Sequence, residues 1–329
     1  MEWKHKTVLV TGAGGFIGSH LIEHLLILGA KVKAFARYNS RGDRGLLELV
    51  PSMIRTEIEF IMGDLRDADA VNRAVEGSDL VFHLGALIAI PYSYIHPCDV
   101  VETNVMGTLN VLNAARSHNV ARVIHTSTSE VYGTAQYVPI DEQHPLQGQS
   151  PYSASKIGAD KIAESYCLSF GLPVVTLRPF NTYGPRQSAR AIIPTIITQA
   201  LSRDIVCLGA LYPTRDLNYV SDTVEGFIKA AQAPDAIGAV INLGSGQEIT
   251  IGDLAARIIG LIGRDVAIVA DDTRLRPEKS EVNRLIADAE EAHRMLGWES
   301  TVSLDEGLQR TIDWISDHMD RYKPDVYNI

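Results

Sequence analysis

The segment Thr11-Gly-Ala-Gly-Gly-Phe-Ile-Gly18 places a set of glycines between a short β-branched stretch and an apolar stretch of helical character. Gly12, Gly15 and Gly18 allow a tight turn, the approach of another molecule to bare backbone, and close packing of a helix on a strand. The N-terminus of the helix that follows presents free N–H groups, which bind phosphate. Glycines in this context predict a dinucleotide-binding turn, since a plain structural turn does not need three glycines at this spacing.

The first half of the chain alternates short β-branched stretches with longer amphipathic ones. Strands are predicted at 7–11, 31–35, 58–62, 80–83, 122–126 and 174–178, and helices at 16–28, 68–75, 105–117 and 151–170. This alternation predicts an α/β fold with a Rossmann-type, doubly wound parallel sheet and helices on both faces. We therefore assign residues 1–180 to an NAD(P)-binding Rossmann domain.

Beyond about residue 181 the pattern loosens, because glycines and prolines such as Gly184, Pro185, Gly209 and Pro213 separate shorter elements. We expect residues 181–329 to form a smaller C-terminal α/β lobe that binds the substrate, with segments of the chain crossing between the two domains. A final helix is predicted at 304–318.

Composition excludes several classes of function. The formal charge of -10 repels a phosphate backbone, and no block of lysine or arginine reverses it locally, so we expect no nucleic-acid partner. No apolar stretch reaches about 18 residues, and the polar first residues show no signal peptide, so we expect a cytoplasmic protein that does not enter a membrane. Cys98, Cys167 and Cys207 are widely spaced, which argues against a disulfide framework and a metal site.

The residues after the second predicted strand bear on the choice of cofactor. An NAD site usually has Asp or Glu there, about twenty residues after the glycines, to hold the ribose hydroxyls. This chain has Ala36 and Arg37 instead, and Arg37 suits a 2′-phosphate, so the residues slightly favour NADP over NAD. Asp64, after the third strand, is placed either to accept a hydrogen bond from the adenine amino group or to cap the next helix.

Tyr152 and Lys156 stand one helical turn apart in Ser150-Pro-Tyr-Ser-Ala-Ser-Lys156 and therefore share one face of a predicted helix. An ammonium close to a phenol stabilises the phenolate, so we expect the pKa of Tyr152 to fall towards neutrality and the residue to act as a general base. The pair follows a predicted strand that ends in Thr126-Ser-Thr-Ser-Glu130. These features together predict a catalytic site.

The motifs together resemble the extended short-chain dehydrogenase/reductases of the NAD-dependent epimerase/dehydratase family, whose members act on nucleotide-linked sugars. The resemblance covers nearly the whole chain. It is carried by the glycine turn, Gly63-Asp64-Leu65, His83-Leu-Gly-Ala86, Tyr152 with Lys156, and Arg178-Pro-Phe-Asn-Thr-Tyr-Gly-Pro185. It implies that Thr128 binds the sugar hydroxyl being oxidised and that Asn181 contacts the sugar nucleotide. The cofactor contacts that it implies, besides the glycines, are Phe16, Ile17, Asp64, Leu65, Leu84, Ala86, Tyr152 and Lys156.

Within the family, Thr128-Ser129-Glu130 stands where many hexose 4,6-dehydratases carry Thr-Asp-Glu and where epimerases have neither acid. Nucleotide-glucuronate decarboxylases carry a similar triplet, so a decarboxylase or 4-epimerase on the same scaffold is the open alternative. Segments 88–94, 126–134 and 186–194 are most similar to the 4,6-dehydratases of legionaminic acid biosynthesis, which implies GDP- or UDP-linked N-acetylglucosamine as substrate. A non-catalytic dinucleotide-binding sensor is a further alternative, although such a protein has no need of Thr128, Tyr152 and Lys156 together.

The 4,6-dehydratase resemblance implies a redox-neutral reaction in which NAD(P) stays tightly bound and is recycled. Tyr152 takes the proton from the sugar 4-hydroxyl, Glu130 removes the C5 proton, and Glu130 or Ser129 passes a proton to the hydroxyl that leaves C6. Ser129 is a poor acid compared with a carboxyl group, so Glu130 is expected to act as the base at C5 and, once protonated, as the acid for the hydroxyl at C6.

Four arginines of the second lobe are candidates for the substrate diphosphate, because guanidinium groups bind such oxygens in pairs. Arg186, Arg190, Arg215 and Arg276 form this set, with surface salt bridges as the alternative, and Arg215 and Arg276 match family positions that contact the diphosphate. The resemblance also implies a homodimer in which helices at 97–117 and 151–170 of each subunit form a four-helix bundle.

Three polar residues near the predicted site have less definite roles. His83 and His125 end strands and are expected to be buried histidines with satisfied hydrogen bonds. Asn104 matches a family asparagine that orders the active-site centre, and both structural and functional roles stay open.

Overall fold

The structure is a computed structural model that describes residues 2–324 and 326. Its strands are β1 (Thr7–Thr11), β2 (Lys31–Arg37), β3 (Ile58–Gly63), β4 (Leu80–His83), β5 (Arg122–Thr126), β6 (Val174–Pro179), β7 (Asn181–Tyr183), β8 (Ile205–Leu208), β9 (Thr214–Tyr219), β10 (Val240–Leu243), β11 (Glu248–Thr250) and β12 (Ala267–Ala270).

The α-helices are α1 (Phe16–Ile27), α2 (Ser52–Arg55), α3 (Ala68–Val75), α4 (Ile90–Ile95), α5 (Pro97–Val101), α6 (Gly107–Ser117), α7 (Pro151–Phe170), α8 (Ile192–Ser202), α9 (Val220–Gln232), α10 (Ile251–Ile262), α11 (Glu290–Leu296) and α12 (Leu304–Asp317). A π-helical segment, Glu102–Met106, joins α5 to α6. Short 3₁₀ helices cover Gly45–Leu49, Ser129–Tyr132, Pro234–Ala236, Asp272–Arg274, Glu278–Ser280 and Met319–Arg321.

A seven-stranded sheet with the order β10-β6-β5-β4-β1-β2-β3 forms the centre of the molecule, and all its neighbouring strands are parallel. The prediction of a doubly wound parallel sheet is therefore confirmed. Chain order reverses between β1 and β4, and in such sheets ligands bind in the crevice at this reversal, beyond the carboxyl ends of the strands. The glycine turn that follows β1 opens into this crevice.

The central strands are buried on both faces, which explains their nearly continuous apolar sequence. Successive side chains of a strand point to opposite faces, so Val8 and Val10 join one hydrophobic cluster while Leu9 joins the other. Val123 and Ile124 of β5 divide in the same way. This double-sided core holds the carboxyl ends of β1, β4 and β5 in fixed relation to one another.

The second lobe contains a three-stranded sheet, β11-β9-β7, and a two-stranded sheet, β12-β8. Part of the chain after residue 180 returns to the large sheet, a crossing that the predicted division into two domains allows. Helix α9 packs on α1, and β10 pairs with β6 as the seventh strand of the large sheet. Residues 220–243 therefore belong to the first domain, because β10 covers the edge of β6 that would otherwise be unpaired.

Candidate active site

The glycine turn is packed so closely that side chains are excluded on one side of it. Gly12 has φ +68°, and a Cβ on Gly12 would lie 2.8 Å from the backbone nitrogen of Gly85. A Cβ on Gly18 would overlap the carbonyl oxygen of Gly12. Gly15, in contrast, is exposed, and its only close neighbour would be the Gly12 oxygen, 3.1 Å away. The turn is thus closed towards the sheet and open at Gly15.

The open side of the turn coincides with the N-terminus of α1. Gly15 is the N-cap residue and supplies no side-chain cap, and the first turn of α1 carries no acidic residue. The positive end of the helix dipole is therefore uncompensated by the protein's own carboxylates, which is the environment that a diphosphate requires. On this observation the residues fit the dinucleotide predicted from the sequence.

The loop after β4 lies against the glycine turn. The backbone N–H of Gly85 donates to Thr11 Oγ1 at 3.0 Å, and Leu84 and Ala86, on either side of it, are partly buried. The Leu65 side chain reaches the same place, because a Cβ on Gly85 would lie 2.7 Å from Leu65 Cδ1. The structure therefore brings the predicted cofactor residues of the loops after β3 and β4 together with the glycine turn. Phe16 and Ile17, at the start of α1, are partly buried beside it.

Charged residues surround the end of the crevice at β2 and β3. Arg37 is exposed and pairs in register with Gly63, next to Asp64. The carboxylate of Asp64 accepts hydrogen bonds from Arg66 at 2.7 Å and 3.0 Å, and these bonds lower its pKa. The alternative that Asp64 caps the next helix is wrong, because Asp67 is the N-cap of α3 and accepts from the backbone of its first turn.

Helix α7 carries the predicted catalytic pair into the protein interior. Ser150 caps the helix through a reciprocal arrangement with Ser153, and Pro151 occupies the first turn, so the helix begins directly before Tyr152. The side chains of Tyr152 and Lys156 are buried, with 7% and 4% of the residue surface exposed. Lys156 Nζ donates to the carbonyl oxygen of Thr126 at 2.6 Å, and the Thr128 side chain is near enough to the Tyr152 phenol to lower its pKa.

The electrostatics of the pair differ from the prediction. Burial raises the pKa of Tyr152 above its ordinary value, and the charges of Glu130 and Asp160 raise it further, whereas the hydrogen bond to Thr128 lowers it. Burial also lowers the pKa of Lys156 to about 8. The expectation that Lys156 brings the pKa of Tyr152 towards neutrality is therefore wrong for the protein alone, because desolvation dominates and the group that lowers this pKa is Thr128, whereas the Lys156 ammonium is bonded to a backbone carbonyl.

Thr128, Ser129 and Glu130 form the turn that follows β5. Thr128 is the N-cap of the short 3₁₀ helix, and its Oγ1 accepts from the backbone N–H of Glu130 at 3.2 Å. Ser129 is buried, whereas Glu130 is partly exposed and its charge acts on both Tyr152 and Arg215. The carboxylate of Glu130 is thus the acidic group of the turn that a substrate beside Tyr152 can reach.

Two of the four predicted arginines meet at one carboxylate. Arg215 on β9 forms an ion pair with Glu281 at 3.2 Å, and Arg276 approaches the same oxygen at 3.5 Å. Burial lowers the pKa of Arg215, and the charge of Glu130 raises it. Sequence reasoning missed Glu281, whose position five residues after Arg276 carries no recognisable pattern. The charge of Glu130 acts on Arg215, so the cluster lies near the catalytic turn.

The other two arginines are placed differently. Arg186 forms an ion pair with Glu23 of α1 at 2.8 Å, which is the salt bridge given as the alternative, and its contact with the diphosphate stays a prediction. Arg190 is exposed and its nearest acceptor is Ser188 Oγ at 3.4 Å. Asn181 on β7 has a buried side-chain oxygen without a hydrogen-bond partner, which leaves an acceptor for a ligand.

Buried polar side chains connect the loops of the site. Asn104 binds both backbone groups of Leu87 and donates to Ser155 Oγ at 2.9 Å, so it joins the loop after β4 to α7. His83 lies between Thr11 Oγ1 at 2.8 Å and Thr108 Oγ1 at 3.0 Å, and burial holds its pKa well below the ordinary range. Both arrangements order the site. Among the residues that the structure describes, no three metal-ligating side chains converge, and no helix is long and apolar enough to span a bilayer.

A glycine turn at the reversal of strand order, with a tyrosine and lysine pair on α7 that is bonded to the end of β5, defines the class of short-chain dehydrogenase/reductases. The sequence profile of the family described as GDP-mannose 4,6 dehydratase matches residues 9–311. The chain therefore belongs to this family of extended short-chain dehydrogenase/reductases, as its motifs predicted.

Known proteins similar to this chain include dehydratases and epimerases. A dTDP-glucose 4,6-dehydratase of Streptomyces antibioticus is 34% identical over 324 residues, which cover 96% of this chain and 94% of the relative. DesIV, a dTDP-glucose 4,6-dehydratase from Streptomyces venezuelae whose structure has NAD bound, has a TM-score of 0.86 and 32% identity over 97% of this chain and 99% of its own. UDP-N-acetylglucosamine 4-epimerase from Methanobrevibacter ruminantium M1 has a TM-score of 0.87 and 30% identity over 96% of this chain and 100% of its own.

Proposed function

We propose that this protein is an NAD(P)-dependent nucleotide-sugar 4,6-dehydratase. The observation that carries the proposal is that Tyr152, Thr128 and Glu130 occupy one small region: the Thr128 side chain and the charge of Glu130 both act on the pKa of the phenol. One base for a sugar hydroxyl and a second, independent carboxylate beside it are what oxidation at C4 followed by proton removal at C5 requires.

The roles of the first step follow from these positions. Thr128 and Tyr152 bind the 4-hydroxyl, and Tyr152 takes its proton. A bound dinucleotide would supply reversible storage of the hydride between C4 and C6, and the positive charge of its oxidised ring would lower the pKa of Tyr152. The ammonium of Lys156 donates to the Thr126 carbonyl and lies on the same face of α7 as Tyr152. We assign Lys156 to the cofactor ribose.

Glu130 performs the second step. A ketone at C4 acidifies the C5 proton, and the partly exposed carboxylate of Glu130 removes it. Once protonated, Glu130 gives the proton to the hydroxyl that leaves C6 as water, and a proton from solvent replaces it at C5 when the hydride is returned to C6. Ser129 is buried and has no acidic proton near neutral pH, so we assign it no proton transfer of its own.

The substrate diphosphate is assigned to Arg215 and Arg276, with Asn181 and Arg190 contributing further contacts. Because Glu281 binds both guanidinium groups, it holds them together and orients them towards one site. The segments that resemble dehydratases of legionaminic acid biosynthesis favour GDP- or UDP-linked N-acetylglucosamine as the hexose. The similarity to an epimerase of UDP-N-acetylglucosamine supports an N-acetylated sugar.

The preference for NADP over NAD stays part of the proposal. Arg37 lies at the exposed end of β2, and the strand itself carries no Asp or Glu to bind ribose hydroxyls. The structure of DesIV has NAD bound, so the scaffold of a relative accepts NAD. The ratio of the two dissociation constants therefore decides this point.

A homodimer is proposed through the helical run of residues 97–117 and α7. The continuous helical run from α5 to α6 exposes Val101 and Met106, and α7 exposes Leu168 and Phe170. Exposed large apolar side chains on adjacent helices are typical of a surface that packs against a second copy.

The experiment that tests the function is mass spectrometry of products and bound cofactor after the purified protein is mixed with GDP-, UDP- and dTDP-linked hexoses. The expected product is a 6-deoxy-4-keto sugar with one deuterium at C5 when the solvent is deuterium oxide. Release of carbon dioxide from a nucleotide-glucuronate would identify a decarboxylase, and a C4 epimer with intact C6 would identify an epimerase. Cofactor binding without turnover of any of these sugars would support the non-catalytic sensor.

A further inference from the structure

Asp160 lies one helical turn beyond Lys156 on α7 and is almost fully buried, with 4% of its surface exposed. Its carboxylate binds two side chains of the end of β5. His125 Nε2 donates to Oδ1 at 3.1 Å, and Ser127 Oγ donates to Oδ2 at 2.7 Å. These two residues flank Thr126, whose carbonyl oxygen accepts the hydrogen bond from Lys156.

The geometry of a strand explains why this arrangement matters. Residues i and i+2 point to the same face, so one carboxylate on α7 can hold both His125 and Ser127. Holding both neighbours fixes the peptide between them, and with it the acceptor for Lys156. Thr128 directly follows Ser127, so the carboxylate of Asp160 also fixes the position at which the catalytic turn begins.

Arg178 extends this connection. Its guanidinium forms an ion pair with Asp160 Oδ2 at 3.1 Å, and another nitrogen donates to the Tyr132 hydroxyl at 2.9 Å. Tyr132 ends the 3₁₀ helix that carries Ser129 and Glu130. Both ends of the catalytic turn are therefore tied to one buried ion pair between α7 and β6.

We propose that Asp160 is a positioning residue for catalysis, which holds the end of β5 so that Lys156, Tyr152, Thr128 and Glu130 keep their relative positions. This inference rests on the proposed function of the site, to which it adds a residue that does not touch substrate or cofactor. A structural role alone would require only that the pocket around Asp160 be filled and its hydrogen bonds be satisfied.

The pH dependence of kcat distinguishes a positioning role of Asp160 from a purely structural one. The charge of Asp160 raises the pKa of Lys156 and that of Tyr152. The titratable and charged groups that face this pair are Asp160 on α7, His83 at the end of β4, His125 at the end of β5, Arg178 on β6 and Glu130 on the catalytic turn. Removal of the Asp160 charge therefore lowers the pKa of both residues, and the acidic and basic limbs of the profile of kcat against pH both move to lower pH.

The test compares Asp160→Asn with Asp222→Asn in the cofactor-loaded protein. Asp222 is a matched control, because it is buried and accepts backbone hydrogen bonds from Thr301 at 2.9 Å and Val302 at 3.0 Å, away from the site. We expect Asp160→Asn to lower kcat by roughly 10- to 100-fold with KM for the nucleotide sugar changed less than about threefold, since small misplacement of reacting groups costs that much. Both limbs of its kcat profile should move down by at least about 0.5 pH unit. Asp222→Asn should reduce thermal stability and leave the profile in place.

Asp160→Glu is the conservative variant, which keeps the charge and should restore the parental position of the profile. A crystal structure of Asp160→Asn supplies a readout that does not depend on activity: the hydrogen bond between Lys156 and the Thr126 carbonyl should be lost. A profile that stays at the parental pH, or a structure in which that bond persists, would overturn the proposal.

Failure of the dehydratase assignment can be told apart from failure of the Asp160 proposal. If the parent protein turns over no nucleotide hexose, the dehydratase assignment fails while the crystal structure still decides the role of Asp160. If the parent is an epimerase, oxidation at C4 still occurs and the pH comparison applies unchanged.

Discussion

The ammonium of Lys156 donates to the carbonyl oxygen of Thr126 at 2.6 Å, so the helix that carries the catalytic tyrosine is bonded to the end of β5, two residues before Thr128. Two elements distant in sequence thus meet at the phenol. This relationship makes the reactivity of Tyr152 depend on packing as much as on its neighbour one turn away.

Replacement of the phenol tests the base directly. Tyr152→Phe should lower the rate of sugar oxidation by roughly 100- to 10,000-fold, because no group remains to take the hydroxyl proton. Tyr166→Phe, which removes a phenol from the same helix, is the control and should leave kcat within about twofold. Steady-state assays with a nucleotide hexose measure both. Equal turnover by Tyr152→Phe and the parent would refute the assignment of the base.

Glu130→Gln separates the two halves of the proposed reaction. The amide cannot remove the C5 proton, so oxidation at C4 should persist while dehydration is lost, and the near-ultraviolet absorbance of reduced nicotinamide should accumulate. Incubation in deuterium oxide should leave C5 unlabelled. Glu164→Gln on the exposed side of α7 is the matched control and should behave as the parent. Normal 6-deoxy-4-keto product from Glu130→Gln would show that another group is the base.

The lowered pKa of Lys156 predicts how stability varies with pH. Its folded pKa of about 8 lies below the ordinary 10.5, so burying the charged ammonium lowers the free energy of unfolding. This loss of stability is fully present at neutral pH and disappears as the pH rises from 8 to 10.5. Lys156→Met removes the cost and should raise the free energy of unfolding near pH 7 by up to about 3 kcal/mol, less the value of the lost hydrogen bond.

Denaturant unfolding of Lys156→Met at several pH values checks this prediction. The advantage over the parent should vanish as the pH approaches the unfolded pKa. Lys161→Met, exposed on the same helix, should show no such pH dependence. A constant difference between Lys156→Met and the parent across this range would contradict a depressed lysine pKa.

The choice of cofactor depends on the end of β2. Arg37→Glu should weaken NADP binding by at least about tenfold, because a carboxylate there repels the 2′-phosphate and accepts from ribose hydroxyls. NAD binding should be unchanged or tighter. Fluorescence titration with both reduced dinucleotides measures the effect, and Lys31→Glu at the other end of β2 controls for the change in net charge. A parent protein that binds NAD more tightly than NADP would remove the predicted preference.

The proposed dimer interface can be broken by a charge. Leu168 is 79% exposed on α7, and Leu168→Glu should convert dimers to monomers because a carboxylate would be buried without a partner between the helices. Met53→Glu, at a residue that is 83% exposed away from α6 and α7, is the control. Light scattering after size exclusion gives the mass of each. Dimers of unchanged stability in Leu168→Glu would place the interface elsewhere.

Local patterns were sufficient for much of the fold and of the site. The strands β1, β4 and β5 begin and end where their β-branched stretches do, and α7 begins at the proline that was predicted to start it. The glycine turn was predictable because its constraint is steric and acts within a few residues. The shared face of Tyr152 and Lys156 follows from helical periodicity alone.

Tertiary structure alone decided which groups these residues meet. Burial, which depends on the whole core, raised the pKa of Tyr152 against the effect expected from Lys156. Arg186 forms an ion pair with Glu23 on α1, and Asp160 accepts hydrogen bonds from His125 and Ser127, because the sheet brings together segments that are far apart in the chain. Residues 220–243 joined the first domain for the same reason, since strand pairing with β6 has no local signature. The sequence by itself determined which chemistry is present, through short-range sterics and periodicity, and long-range packing decided its partners and its electrostatics.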